Sequence, residues 1–368
     1  MKNWILVYIL TFSGALLCSA MATVFFRKIA WKTDFLDRPA ANHKGHAKAT
    51  ALLGGAAMFC SWAVCAILGS ILFFTGACPE FLEEIFQKHQ AGLLNNLPQM
   101  GFVFLGALLA VLLGLADDKW ALSAGTKFAG QFLIALLAVF GGDIKINFFI
   151  TVPWISSALS VFWIVLMMNS INFFDNMDGL ATGTIAIAMM FFTVIAGMNG
   201  EYFMAVFAAL NCGVCCGFWF FNANPATIFM GDSGSHLLGY LAAVTAVAVT
   251  FFDQGASLTR FPVIIPAFIL ALPLFDTAMV VAIRTLNRKP FWIGDHNHIS
   301  HRFVRMGLSR KNAVILVHLL AFTIGLGALP IYWGDFKTAT VILMQMFLLL
   351  VIITVIQLHL SEKDDARD

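Results

Sequence analysis

Long apolar runs broken by short polar stretches set the pattern of this chain. A helix of roughly 17–25 apolar residues is long enough to cross about 30 Å of hydrocarbon. Runs of that length fall near 4–26, 51–74, 100–116, 124–142, 150–168, 180–198, 202–221, 235–252, 262–283, 312–331 and 338–359. The pattern predicts an all-α, polytopic integral membrane protein with about eleven transmembrane helices. No repeat, low-complexity linker or break in composition interrupts it, so residues 1–368 read as a single domain.

Composition agrees. Of the 368 residues 60% are hydrophobic and only 11% charged, against about 25% charged in a soluble domain. Net charge is +2 and says little, but the placement of the basic residues says more. With the N-terminus outside, 17 of the 22 Lys and Arg fall on the cytoplasmic side, as the positive-inside rule expects. Lys2 and the Ala20-Met21-Ala22 stretch resemble a signal peptide and its cleavage site. Cleavage would leave Arg27, Lys28 and Lys32 on the translocated side, so 4–26 reads as an uncleaved first span. Six of the seven cysteines lie in apolar runs, and Cys212-x-x-Cys215-Cys216 has no ligand partner nearby, which favours buried thiols. No nucleic-acid partner is expected.

Four polar motifs interrupt the pattern. Residues 169–183 read N-S-I-N-F-F-D-N-M-D-G-L-A-T-G, with Asn169, Asn172, Asp175 and Asp178 at intervals of three. Neighbours in that series touch on a helix, and Gly179 predicts a break after Asp178. Asp117-Asp118 ends a span, as paired acids or as a solvated helix end beside Lys119. In Phe229–Ser235, F-M-G-D-S-G-S, the glycines let backbone N–H groups approach a phosphate, while Asp232 or Ser233 would cap a helix beginning at Ser235. Phe229 would stack on a base or simply pack. The loop 295–302, D-H-N-H-I-S-H-R, holds His298 and His301 beside Arg302 and Arg305. No third zinc ligand has suitable spacing, so an anion such as a pyrophosphate suits it better. All four motifs map to the cytoplasmic side, where independent motifs would scatter. Charges at bilayer depth cost several kcal/mol, which makes these residues candidates for one site at that boundary. His236, His318 and His359 stand alone and read as structural.

Taken in order, Asp117-Asp118, N-x-x-N-x-x-D-x-x-D-G-L-A, F-M-G-D-S-G-S and H-I-S-H resemble the motifs of the polyprenyl-phosphate N-acetylhexosamine-1-phosphate transferases. The stretch from Asp37 to Gly55, D-R-P…H-x-K-A-T-A-L-L-G-G, is similar to that family's first cytoplasmic loop. The H-x-x-H form resembles the branch acting on undecaprenyl phosphate and UDP-GlcNAc. Ser300 replaces a usual histidine, and Ala49 and Ala51 replace usual prolines.

The resemblance implies a multi-pass protein of the bacterial cytoplasmic membrane, with its active site on the cytoplasmic side. It implies transfer of a sugar-1-phosphate, GlcNAc-1-phosphate first among them, from a UDP-sugar to undecaprenyl phosphate with release of UMP. Mg²⁺ is the implied cofactor, with Mn²⁺ as a substitute. Asp232 and Asp178 would hold the metal, and Asp117 would act as base toward the lipid phosphate. Asp118 would support the metal or the base. Asp178, also a catalytic candidate, and Asn172 would hold the nucleotide or help place the metal, Asn169 and Asp175 would bind the substrate, and Asn222 and Phe229 resemble uridine contacts. Lys48 and Lys127 would neutralise phosphates; His298, His301 and Arg302 would meet the pyrophosphate or sugar. A homodimer is open. Two further readings stay open: the same chemistry on UDP-MurNAc-pentapeptide or another UDP-HexNAc, and a secondary transporter, whose carboxylates would sit nearer the midplane in repeated halves.

Overall fold

The computed structural model describes residues 2–38, 49–76, 80–146, 152–251, 259–288 and 298–365. The backbone is almost wholly helical, as hydrocarbon demands of a chain that must satisfy every N–H and C=O internally. Its contacts group into two compact units, Met1–Val249 and Thr250–Asp368.

The first unit runs α1 (Lys2–Lys32), β1 (Leu36–Asp37), β2 (Thr50–Ala51), α2 (Gly54–Thr75), α3 (Glu80–Trp120), α4 (Ala124–Leu136, ending in a π-helical turn over Leu137–Gly141), α5 (Pro153–Phe174), α6 (Leu180–Met198), α7 (Tyr202–Asn222) and α8 (Gly231–Ala248). The second holds a 3-10 turn (Phe261–Ile264), α9 (Ile265–Ile269), α10 (Ala271–Leu286), α11 (Ile299–Arg305), α12 (Arg310–Trp333) and α13 (Phe336–Asp365).

Among the described residues nine helices are long and apolar enough to cross a membrane, ten if one bent pair counts as a span. The chain is a polytopic membrane protein, with fewer such helices than the eleven apolar runs. The run at 262–283 is broken: Phe261–Ile269 and Ala271–Leu286 meet at 73°. Pro273 has no N–H for the carbonyl of Ile269, and its ring crowds that carbonyl. The run at 235–252 becomes α8, whose polar first turn and His236 lower its apolar content. The run at 100–116 lies inside one 41-residue helix, α3, which contains Pro98.

α8 is the centre of the first unit. Every residue from Ser233 to Ala246 is buried, and α3 and α5 pack most extensively against it. Two glycines let the backbone of its first turn come close. A Cβ on Gly55 of α2 would collide with Ser233 and Gly234, and one on Gly114 of α3 with Asp232 and Ser233. The hairpin of β1 and β2 guides the approach, since β2 also bridges to Ile228. Phe229 N–H donates to the Ala51 carbonyl, and the Phe229 and Met230 carbonyls accept from the Gly54 and Gly55 N–H groups. Two of the unpaired donors at the start of α2 are satisfied in this way.

Candidate functional site

The polar motifs of the first unit converge where α3 and α5 end and α4 and α8 begin. Lys127 Nζ lies 2.7 Å from Asp117 Oδ2 and 3.1 Å from Asp232 Oδ2. Asn172 Nδ2 donates to Asp232 Oδ1 at 2.8 Å and to Ser235 Oγ at 2.9 Å. Asp117 Oδ1 accepts from the Leu122 N–H at 2.7 Å. Asp232 keeps 29% of its side chain exposed, whereas Asp117 keeps 7%.

Helix α8 starts earlier than the sequence suggests, at Gly231, and no side chain of its own motif caps it. The expected cap from Asp232 or Ser233 is absent because Asp118 provides it from α3. Its Oδ1 accepts the Asp232 N–H at 2.7 Å and its Oδ2 the Ser233 N–H at 3.2 Å. Gly231 adopts φ +67°, and a Cβ there would strike the Asp118 carboxylate. Asp118 thus accepts one backbone N–H of the first turn of α8 on each oxygen. It fixes the turn that carries Asp232.

α5 also ends earlier than expected. Asp175, with φ −80° and ψ 58°, already closes the helix, and Gly179, with φ +74°, starts α6. Asn169 and Asn172 thus sit on the last turns of α5, while Asp175 and Asp178 lie in the connection. Asp178 Oδ2 accepts from Asn224 Nδ2 at 3.0 Å and from the Ala226 N–H at 3.1 Å. Asn222 is 3% exposed. Its Oδ1 accepts from the Gly179 N–H and Thr182 Oγ1, and its Nδ2 donates to the Ile228 carbonyl. The side chain thus joins the loops before α6 and α8. Phe229 is half-buried beside α2.

Asp175 stands apart. Among the described residues nothing hydrogen-bonds its carboxyl. Enclosure pushes that carboxyl well above the usual carboxylate range, and the charges of Asp232, Asp178 and Asp118 push it further. Five carboxylates therefore gather here, and Lys127 is the cation bonded to them among the described residues. Mg²⁺ needs no protein cage: it takes one or two carboxylates together with substrate phosphates and water. No group of three or more His, Cys, Asp or Glu among the described residues is set to hold a metal. Excess negative charge and a part-exposed Asp232 fit an ion shared with a substrate.

The second unit holds the histidine motif. His298, 6% exposed, precedes α11. Its Nδ1 lies 2.7 Å from Oδ2 of Asp276, which is 1% exposed, and Asp276 Oδ1 accepts the Ile299 N–H at 2.6 Å. The His301 ring stands 6.3 Å from that of His298, and Arg302 is buried. Asp276 was not singled out from the sequence, although a lone carboxylate inside A-L-P-L-F-D-T was its signal. Lys48, with His43, His46 and residues 295–297, lies outside the described residues.

Comparison with known proteins agrees with this geometry. Residues 100–250, which carry every element of the first cluster, match the family model described as glycosyl transferase family 4. The chain is 31% identical to a probable undecaprenyl-phosphate N-acetylglucosaminyl 1-phosphate transferase of Bacillus subtilis, over 95% of this chain and 90% of that one. It is 31% identical to a decaprenyl-phosphate N-acetylglucosaminephosphotransferase of Mycobacterium tuberculosis, over 68% and 71%. A phospho-N-acetylmuramoyl-pentapeptide-transferase of Shouchella clausii is 30% identical over 68% of this chain and 76% of its own. A match along nearly the full length of both chains, together with the family model, places the chain in a known group: it belongs to glycosyl transferase family 4.

Proposed function

We propose that this protein transfers GlcNAc-1-phosphate from UDP-GlcNAc to undecaprenyl phosphate at the cytoplasmic face of a bacterial inner membrane. An oxygen of the lipid phosphate forms a bond to the β-phosphorus of the donor. The bond from that phosphorus to the bridging oxygen breaks, and UMP leaves with the electron pair. The observation that carries the reading is the excess of carboxylates over Lys127 at one end of the helices of the first unit. Two anionic reactants cannot meet there without a cation.

Mg²⁺, or Mn²⁺ in its place, would be held by Asp232 and Asp178 and would supply charge neutralisation at the phosphates. The residues of the chain supply the rest. Asn172 fixes the rotamer of Asp232, leaving part of that carboxylate toward solvent. Lys127 holds Asp117 and Asp232 together in the free protein and passes to a phosphate when one arrives. Asp117, released from Lys127, accepts any proton carried by the lipid phosphate. Asp175 keeps unbonded oxygens for a donor hydroxyl. The identity with a muramoyl-pentapeptide transferase keeps UDP-MurNAc-pentapeptide as the competing donor.

The test is UMP release by purified protein in detergent with undecaprenyl phosphate, Mg²⁺ and UDP-GlcNAc. UMP should require lipid and metal, and Asp232→Asn should lower turnover at least ~10³-fold. Release from UDP-MurNAc-pentapeptide alone would move the donor. Near-normal turnover by Asp232→Asn at saturating Mg²⁺ would remove Asp232 from the chemistry.

A further inference from the structure

One helical turn deeper than Lys127, Asp232 and Asn172 lies a second polar layer on the same three helices. Gln131 follows Lys127 by four residues on α4, His236 follows Asp232 by four on α8, and Asn169 precedes Asn172 by three on α5. Such spacings put each residue on the same helix face as its partner above. Asn169 Nδ2 donates to Gln131 Oε1 at 2.7 Å, and Gln131 Nε2 meets His236 Nε2 at 2.9 Å. Gln131 is 2% exposed and His236 fully buried.

The bonds dictate the proton positions. Asn169 spends its amide protons on the Val165 carbonyl at 2.8 Å and on Gln131 Oε1. Gln131 must therefore present its NH₂ to His236. His236 Nε2 must accept, so its ring proton sits on Nδ1, which is buried with no partner among the described residues. A ring carrying a proton on Nε2 would set donor against donor.

The two layers complete one another. In the upper layer Asp232 joins α8 to α4 and to α5. In the lower layer Gln131 joins α4 to α8 and to α5. Every pair among the three helices is thus bonded, and α4–α8 and α5–α8 each more than once. From this juxtaposition we propose that Gln131, His236 and Asn169 are positioning residues, which hold the registers of α4, α5 and α8 and so keep Lys127, Asp232 and Asn172 in reacting geometry. The proposal rests on the reading that Asp232 takes part in the reaction. It also accounts for His236, which the sequence leaves as a lone histidine.

The experiment pairs kinetics with nitrogen-15 NMR on the full chain labelled at histidine. In the unsubstituted protein the His236 signal, identified by its loss in His236→Leu, should show a protonated Nδ1 and a bare Nε2. Gln131→Leu should shift it. Gln131→Leu and His236→Leu should each lower kcat per folded molecule by roughly 10–100-fold, by analogy with groups that orient a ligand from behind. KM for the UDP-sugar should move by no more than about 3-fold, and the double variant should be no slower than the worse single one, as expected of residues acting through one contact. A proton on Nε2 in the unsubstituted protein would overturn the proposal, even if Gln131→Leu does not fold. So would an unchanged kcat with only a lower melting temperature, or additive losses in the double variant. Asp232→Asn runs alongside: its full activity would sink the underlying reading, whereas its inactivity beside fully active layer variants would sink the layer alone.

Discussion

The two units hold carboxylates under opposite conditions. In the first, Asp117, Asp118, Asp175, Asp178 and Asp232 gather, and Lys127 bonds Asp117 and Asp232. In the second, Asp276 is fully matched, with the His298 ring on one oxygen and the Ile299 N–H on the other. A balanced buried carboxylate orients its partner, while an unbalanced cluster waits for a cation. Within the first cluster the same division recurs between neighbours. Asp118 is satisfied by two backbone N–H groups and positions a turn, whereas Asp232 remains part-exposed.

Breaking the satisfied member of the first cluster should have the larger effect. Asp118→Asn keeps one acceptor but turns an NH₂ toward the Ser233 N–H, so the first turn of α8 must move. Losing an acceptor at a helix start costs about 1 kcal/mol, and a displacement of about 1 Å at the reacting group costs about 100-fold in rate. Turnover of Asp118→Asn should fall by about that factor at saturating Mg²⁺, with an unchanged half-saturation for Mg²⁺. A half-saturation raised in proportion to the loss of rate would make Asp118 a metal ligand after all.

The membership of this cluster was legible in the sequence, because Asp117, Lys127, Asn172 and Asp232 interrupt apolar runs where a charge is costly. The division of labour was not. Asp118 acts on backbone groups more than a hundred residues away, and nothing local to α3 announces them. Asn222 was expected at the uridine from the family resemblance alone; its partners at Gly179, Thr182 and Ile228 come from two other segments. Glycines gave a better signal than was used. Gly55 and Gly114 stand in apolar runs, where glycine signals close backbone approach, and the first turn of α8 is what approaches them. Helix count suffered from the same blindness: periodicity does not see that Pro273 bends one apolar run, or that the polar start of α8 belongs to the helix.

Breaking the balanced pair should do less. In Asp276→Asn the amide oxygen still accepts the Ile299 N–H, and the NH₂ faces His298 Nδ1. That nitrogen must then accept, and the ring proton moves to Nε2. The exchange should appear in the nitrogen-15 spectrum of His298, with kcat/KM lowered about tenfold, the lower end of what a residue acting behind a functional one costs. A ring proton still on Nδ1 would remove Asp276 as the group that sets the tautomer.

The smallest effect should come from relieving the unbalanced cluster, and its sign is opposite. The Asp175 carboxyl is held well above its ordinary range by enclosure and by three neighbouring carboxylates. Unfolded, it titrates near 4. Between those two limits the folded chain binds a proton that the unfolded chain does not, so stability falls as pH rises through the interval. Asp175→Asn removes that loss. Without Mg²⁺ the variant should melt at the same temperature as the unsubstituted protein near pH 4, and its advantage should grow as pH rises through the raised value. Mg²⁺ should shrink the advantage, because a bound cation offsets the same repulsion. Turnover should fall in the variant, so that stability and activity move apart, as expected where a site stores unfavourable charge for its substrate. A melting difference that ignores pH would show that the repulsion at Asp175 is relieved within the protein itself, and the contrast with the balanced pair around Asp276 would then rest on Asp232 alone.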